Sequence, residues 1–271
     1  MRAAFLPWCA QQGITGPAQL TTRQLNRFSA DLQERPGKRG RPLANQTVWT
    51  YVKAVRSFLA WCKSEGEGTE ATAQLPKLQC RLVEVLSREE IKLIEESATN
   101  ERDKLIVRIL ADSGMRVGEL VSLRTADLTE IEYRCFVVVR GKTGERLVPI
   151  ERSLQRRIRS YIERQRPKEV DSDRLLVSLR QRPGGGYQVL TESGVQQLVR
   201  DLGDRAALSK RVHPHIFRHS CATWMLRQGM NPLLVMQVLG HTNLRMITDV
   251  YSHLSMSDAH AALMRLLSDD R

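Results

Sequence analysis

The sequence has no stretch that would cross a membrane, and its cysteines form no recognisable framework. No run of apolar residues in the 271-residue chain approaches the ~20 that a bilayer-spanning helix requires. Pro7 interrupts the first apolar residues, so we expect no signal peptide there. The five cysteines are odd in number, scattered and without a C-x-x-C pair, which predicts reduced, mostly buried thiols in a cytoplasmic protein: Cys9, Cys62, Cys80, Cys135 and Cys221.

Acidic residues are in short supply relative to basic ones. The chain has 30 Asp and Glu against 42 Lys and Arg, a formal net charge of +12. This excess favours a polyanionic partner, because neutralising phosphates releases their counterions. Charge alone leaves DNA, RNA and an acidic membrane surface open as partners. The length and the 41% apolar content suit a globular protein of two modest domains.

The order of polar and apolar segments predicts where the two domains divide. Residues 1 to about 65 are predicted to be all-helical, including a helix from Asn45 to Lys63 with Val48, Val52, Val55 and Leu59 on its apolar face. The small, polar residues 66–73 indicate a flexible linker that continues to Val85. Ser87 and Glu90 form a capping-box pattern that begins the second domain. We therefore predict domains at 1–75 and 86–271, joined by a linker at 76–85.

Two strands and several helices are predicted in the second domain. Residues 135–140 and 145–150 are β-prone and flank a glycine-bounded turn that carries Lys142. A helix is expected from Glu101 to Leu110, a short one bearing Arg116 and Glu119, and a basic one over residues 152–166. The predicted fold class is mainly α with a small β-hairpin.

Chemistry-bearing residues concentrate between His213 and Tyr251. Pro214 begins a predicted helix that runs towards Gly229, with Arg218 three residues after His215 and so on the same face. The buried side of that helix is predicted to hold Phe217, Cys221, Ala222 and Met225.

Two further helices are predicted after it. The second starts at Asn231-Pro232 and ends at Gly240, with an apolar stripe of Leu234, Val235, Val238 and Leu239. The third starts at Asn243 and carries Tyr251 near its end. Any one of the polar residues taken alone is most often an ordinary core or surface residue, and only their order along the chain is distinctive.

That order resembles the signature of the tyrosine recombinases, the phage-integrase family. The matching elements are His-x-x-Arg-His at 215–219, Leu-Gly-His at 239–241, Tyr251, the Gly-x-Arg-x-x-Glu segment at 114–119, and Lys142 in its hairpin turn. The resemblance is strong over about residues 86–255 and holds in outline over 1–75. It implies an Xer-like site-specific recombinase with a helical core-binding domain and a mixed α/β catalytic domain.

The resemblance implies a role for each matching residue. Tyr251 would be the nucleophile that forms a 3′-phosphotyrosyl bond, and Lys142 would protonate the leaving 5′ oxygen. Arg116 and Arg218 would hold the non-bridging oxygens. His215 would accept the tyrosine proton and His241 would donate a hydrogen bond to the phosphate, with Glu119 as a supporting residue that orients its neighbours. Exchange of one phosphodiester for another roughly conserves energy, so no cofactor is implied.

Partners follow from the same resemblance. Double-stranded DNA core sites and a homotetramer on DNA are implied, in the cytoplasm, with the protein at the nucleoid when bound to DNA. The basic segment after residue 33 is then either a DNA-contacting loop and helix or an ordinary solvated surface. Its candidate contacts are Arg35, Lys38, Arg39, Arg41, Lys53 and Arg56. The amphipathic tail at 259–267 is either a helix that docks on a neighbouring protomer or one that packs on its own domain.

Three alternatives remain open at the level of the sequence. A type IB topoisomerase-like nicking and closing enzyme would use the same residues without strand exchange. A DNA-binding protein that kept the fold and lost the chemistry is disfavoured by the complete set of six residues. A zinc site among the C-terminal histidines is also disfavoured, because no cysteine pair accompanies them and Arg218 lies among them. We therefore predict no metal site.

Overall fold

The structure is a computed structural model that describes residues 4–37, 40–78, 84–141, 144–170, 172–181 and 185–240, together with His260 and Met264. The chain divides into two compact units, Met1–Arg81 and Leu82–Arg271. Each has its own hydrophobic core. Within the described residues, no helix is long and apolar enough to cross a membrane.

The first unit is helical, as predicted. A capping box, in which Thr21 and Gln24 bond each other's backbone N–H, begins its second helix. The third helix buries Val48, Val52, Val55 and Leu59 on one face, which confirms the predicted stripe. The helices are α1 (Phe5–Gln11), α2 (Thr22–Glu34) and α3 (Asn45–Ser64), with a 3-10 turn at Pro17–Gln19.

The segment at 66–73 is not the free tether that its composition predicts. Ala73 is buried in the core of the first unit. Thr69 donates its hydroxyl to the carbonyl of Leu20 at 2.8 Å, and the backbone N–H of Gln74 bonds the Asn26 side chain at 2.9 Å. These hydrogen bonds tie a small, polar stretch to α2 and its approach, so the prediction of a flexible linker at 66–73 is wrong.

The second unit is built from helices around two small antiparallel sheets. Its first helix has the predicted capping box of Ser87 and Glu90. The helices are α4 (Arg88–Glu96), α5 (Glu101–Ser113), α6 (Val117–Ser122), α7 (Arg152–Arg164), α8 (Glu192–Arg205), α9 (Pro214–Arg227) and α10 (Pro232–Leu239). The strands are β1 (Leu128–Ile131), β2 (Arg134–Gly141), β3 (Gly144–Pro149), β4 (Val177–Gln181) and β5 (Tyr187–Val189).

The predicted hairpin is the centre of a three-stranded sheet ordered β1-β2-β3, in which Val139 pairs with Arg146 and Gly141 with Gly144. Val137, Val139 and Val148 face the core. The short strand β1, the β4–β5 pair and α8 were not predicted. The mainly α fold with small antiparallel sheets is confirmed.

Helices α9 and α10 occur where the proline and glycine signals predict them. Phe217, Cys221, Ala222 and Met225 are all buried, as expected. On α10 the predicted apolar stripe is partly wrong, since Leu234 is half exposed while Val235, Val238 and Leu239 are buried. The predicted third helix, from Asn243 to Tyr251, lies outside the described residues, as does most of the tail at 259–267.

Candidate active site

Three arginines from different parts of the chain converge on the C-terminal end of α10. The carbonyls of Val238, Leu239 and Gly240 are consecutive. They accept hydrogen bonds from Arg146 at 2.9 Å, Arg218 at 2.7 Å and Arg116 at 3.1 Å, respectively. The last carbonyls of a helix lack intrahelical partners and carry partial negative charge, so cations are favoured there. This end of α10 is therefore the point at which α6, α9 and β3 are joined.

The turn before α6 places Arg116 at the helix N-terminus. Gly114 ends α5 in the left-handed conformation at φ 59°, and a Cβ there would lie 2.5 Å from Leu239. Arg116 is the N-cap residue, and its backbone N–H donates to Glu119 at 2.8 Å. Its side chain is 38% exposed, so part of the guanidinium faces solvent. The Gly-x-Arg-x-x-Glu spacing is thus the sequence of a tight turn into a capped helix.

Glu119 is a buried carboxylate held by two arginines. Its side chain is 4% exposed. Arg146 donates from both terminal nitrogens to the two carboxylate oxygens at 2.9 and 2.8 Å, and Arg116 donates to one of them at 3.0 Å. Burial by itself would raise the pKa of Glu119. The hydrogen bonds from Arg146 and from the Arg116 backbone, with the charge of Arg146, outweigh it and leave the pKa below its usual value.

Arg218 is almost fully buried, at 5% exposure. Its two terminal nitrogens each donate at 2.7 Å to a carbonyl at a helix C-terminus, that of Gly114 after α5 and that of Leu239 on α10. Burial and the neighbouring charge of Arg116 lower the pKa of Arg218 to about 10. The group stays a cation at neutral pH, fixed in place by two backbone acceptors.

A cavity of about 560 Å³ opens beside Arg116. The exposed side chain of His215 lines it together with Arg116 and Glu119. His213, just before α9, instead caps that helix by accepting the Ile216 N–H at Nδ1. Partial burial and the nearby charges of His215 and Arg211 lower the pKa of His213, in keeping with this neutral acceptor role. The remaining lining residues are Val117, Gly118, Arg140, Gly141 and Glu192.

The structure brings together four of the predicted site residues, Arg116, Glu119, His215 and Arg218, although they are separated by up to 102 positions in sequence. Lys142, His241 and Tyr251 lie outside the described residues. Their flanking residues do not: Gly141 lines the cavity, and Gly240 accepts a hydrogen bond from Arg116.

Sequence reasoning missed Arg146. On β3 this side chain lies two positions before Val148, which is buried, and alternate residues of a strand share a face. A charged residue on the core-facing side of a strand was the available signal. At 13% exposure, Arg146 has the partners that such a position requires, in Glu119 and the carbonyl of Val238.

The basic residues of the first unit have a different setting. Arg35, Arg41 and Arg56 are exposed, and no carboxylate in the described part of the chain pairs with them. Lys53, also exposed, lies over the Trp49 ring at 4.8 Å. Lys38 and Arg39 are outside the described residues.

The described residues also bear on metal binding. No group of three or more His, Cys, Asp or Glu among them is placed to hold a metal ion. Four of the histidines, His213, His215, His219 and His260, belong to this part of the chain. The four cysteines within it, Cys9, Cys62, Cys135 and Cys221, are buried free thiols.

Known proteins match most of this chain. The model of the phage integrase family matches residues 84–258. A tyrosine recombinase named XerA, from Thermococcus onnurineus, is 34% identical over 254 residues that cover 92% of this chain and 83% of that protein.

Solved structures of recombinases are similar as well. A crystal structure of XerA recombinase matches with a TM-score of 0.57 and 27% identity, over 100% of this chain and 90% of that one. The structure of XerH bound to a palindromic difH substrate after cleavage matches with a TM-score of 0.69 over 90% of this chain and 72% of that one. Its identity is 19%, so this second likeness concerns the fold alone.

Proposed function

The chain belongs to the phage integrase family, and from that premise we propose that it is a site-specific recombinase. It cleaves and rejoins duplex DNA at core sites through a 3′-phosphotyrosyl intermediate, with strand exchange. The observation that carries the proposal is the pair of arginines at the C-terminal end of α10. Arg116 and Arg218 are both anchored there by backbone carbonyls, and Arg116 also lines an open cavity.

The two arginines are suited to hold a phosphate. Each guanidinium has five N–H donors. Among the described residues, Arg218 uses two of these for carbonyls, and Arg116 uses two for Glu119 and Gly240. The remaining donors of Arg116, which lines the cavity, would hold the non-bridging oxygens of a scissile phosphate, and those of the more deeply buried Arg218 would support them from beside it. Because their positions are fixed before DNA binds, they stabilise the charge that develops in the transition state without reorganisation.

The nucleophile and proton carriers complete the proposed reaction. Tyr251 attacks the phosphorus, and the bond to the 5′ oxygen breaks. An ordinary tyrosine has a pKa of about 10, so its phenolate costs about 4 kcal/mol at neutral pH. The arginine charges and His215, which accepts the tyrosine proton, offset that cost. Lys142 gives a proton to the departing 5′ oxygen, and His241 donates a hydrogen bond to the phosphate.

DNA affinity is proposed to come largely from the exposed basic side chains of the first unit. Residues 1–75 would form the core-binding domain and residues 86–271 the catalytic domain, joined at 76–85. The active form on DNA would be a homotetramer, in which the tail at 259–267 would dock on a neighbouring protomer. The protein would act in the cytoplasm, at the nucleoid, and would require neither metal nor ATP.

The decisive experiment uses the full chain with Tyr251→Phe. The probe is a fluorescent nicked duplex that carries a candidate core site, chosen as a repeated sequence in the DNA that flanks the gene. We expect a protein–DNA adduct on a denaturing gel with the wild type, in excess EDTA, and none with Tyr251→Phe. Duplex binding should be equal for both, because affinity comes mostly from contacts between basic residues and phosphates.

Three outcomes would contradict the proposal. An adduct that persists in Tyr251→Phe would remove Tyr251 as nucleophile. Loss of the wild-type adduct on chelation would require a metal. Relaxation of supercoiled core-site plasmid without any recombinant product would favour the nicking and closing enzyme.

A further inference from the structure

Arg146 makes contacts at the site that the proposed chemistry does not use. It is the only one of the three arginines at the end of α10 that lies on the β2–β3 hairpin. Its three nitrogens bond the two oxygens of Glu119 and the carbonyl of Val238 at 2.8–2.9 Å. A planar guanidinium can make such a fork with a carboxylate and still donate from Nε.

We propose that Arg146 is a positioning residue for the strand-transfer reaction, a role that rests on the proposed function. Through Glu119 it fixes the side chain and N-cap of Arg116. Through the Val238 carbonyl it fixes the end of α10, three residues before His241. Through its own place on β3, four residues after Lys142, it fixes the hairpin to both.

The packing around Arg146 leaves the group little freedom to move. A Cβ on Gly240 would lie 2.9–3.0 Å from the Arg146 guanidinium, and a Cβ on Gly141 would lie 2.9 Å from Glu119. The backbone before His241 and the backbone before Lys142 therefore each pass against one member of the Arg146–Glu119 pair. Both glycines are sites of close approach as well as turn residues.

A structural arginine elsewhere in the same unit provides a matched control. Arg102, on α5, is 11% exposed against 13% for Arg146. It bonds one carboxylate, that of Asp103, and one backbone carbonyl, that of Val177. It does not line the cavity beside Arg116. Arg102→Gln therefore removes a comparable buried ion pair away from the proposed chemistry.

The test measures single-turnover formation of the covalent adduct on the nicked core-site duplex, together with the Kd for DNA and the Tm. For Arg146→Gln we expect the rate to fall about 10- to 100-fold, because small misplacements of catalytic groups have effects of that size. The Kd should be unchanged. Arg146→Lys keeps the charge but not the fork, so it should recover part of the rate. Arg102→Gln should lower the Tm as much as Arg146→Gln does and leave the rate unchanged.

A double-mutant cycle asks whether Arg146 acts through Glu119. If it does, Arg146→Gln combined with Glu119→Gln should be no slower than the slower single variant, since residues of one network are not additive. A wild-type rate in Arg146→Gln or an equal defect in Arg102→Gln would each overturn the inference. Multiplying defects in the double variant would overturn the part of it that runs through Glu119. If Arg146→Gln fails to fold, the rate of Arg146→Lys relative to Arg102→Lys decides in its place. Failure of the wild type to form any adduct would instead overturn the proposed function, and this inference with it.

Discussion

Two sets of arginines, one in each unit, hold their positive charge in opposite ways. In the first unit Arg35, Arg41 and Arg56 are exposed, and no carboxylate in the described residues pairs with them. In the second, Arg146 and Arg218 are 13% and 5% exposed, and each is fixed by two or more partners. An exposed cation in water attracts DNA through its charge, and salt screens that attraction. A buried, hydrogen-bonded cation contributes to catalysis through the fixed position of its donors.

This difference predicts that replacing an arginine by lysine will greatly slow the reaction in the second unit and have almost no effect in the first. Arg218→Lys keeps the charge but cannot donate to the carbonyls of Gly114 and Leu239 and to a phosphate in the same planar geometry. We expect adduct formation to fall about 10²- to 10³-fold, the usual cost of losing a fixed transition-state donor. Arg41→Lys, in the first unit, should leave both the rate and the DNA affinity close to wild type.

Gel quantification of adduct at saturating DNA measures the rate, and fluorescence anisotropy measures the affinity. The comparison fails if Arg218→Lys is as active as Arg41→Lys. In that case the charge of Arg218 would be sufficient and its anchoring by the two carbonyls would be incidental.

The sequence predicts well those features that depend on neighbouring residues, such as the ends of helices. Pro214, Gly229, Asn231 and Gly240 mark the ends of α9 and α10 because prolines, capping residues and left-handed glycines act on their own backbone. The Ser87 capping box is local for the same reason. The family motifs indicate Arg116, Glu119, His215 and Arg218. The structure joins Arg116 and Arg218 to the end of α10 and Glu119 to Arg116, and His215 lines the cavity beside Arg116.

What the sequence does not predict depends on contacts across the fold. Arg146 is 27 residues from Glu119 and 92 from Val238, and no periodicity encodes such a pairing. The segment at 66–73 reads as flexible because its composition is small and polar. The structure shows that Thr69 and Gln74 find partners near and on α2. The spacing of apolar residues assigns Leu234 to the buried face of α10. In a helix of only eight residues, however, the elements that pack against it decide which side chains are buried, and sequence spacing does not reveal them.

In the first unit we expect an effect when the positive charge is removed, unlike in Arg41→Lys, which keeps it. Substituting Arg35, Arg41 and Arg56 by Gln should weaken DNA binding and flatten the plot of log affinity against log salt. The slope should change by about 0.9 unit for each phosphate that the protein no longer neutralises, up to ~2.7 units for three. The rate of adduct formation at saturating DNA should not change, because none of these residues belongs to the cavity beside Arg116.

Lys63→Gln is the matched control for that experiment. Its ammonium is exposed but already pairs with Glu70 at 2.8 Å, so its loss should change the salt dependence less than loss of any one of the three arginines. An unchanged slope in the triple variant would mean that the basic surface is merely solvated. DNA affinity would then have to come from the second unit.

The smallest expected effect is on the stability of the two units and comes from their capping boxes. Thr21→Ala at α2 and Ser87→Ala at α4 each remove a side-chain acceptor from a helix N-terminus, at a cost of about 1 kcal/mol to the unit concerned. The boxes differ in their second member, which is neutral Gln24 in the first unit and Glu90 in the second. Burial opposes ionisation of Glu90, but hydrogen bonds from Lys210 and from the Ser87 backbone prevail and lower its pKa.

A carboxylate whose pKa is lowered on folding contributes stability that is fully present above its unfolded pKa of about 4.3 and is lost as pH falls through the folded value. Glu90→Gln should therefore destabilise the second unit at pH 7 and cost less and less as the pH falls below about 4.3. Gln24→Ala should destabilise the first unit equally at neutral and at acidic pH, since Gln24 does not titrate. Hydrogen exchange of the α2 and α4 amides at pH 7 and pH 3 measures each unit separately. An equal cost of Glu90→Gln at both pH values would show that its carboxylate adds no charge-dependent stability to the second capping box.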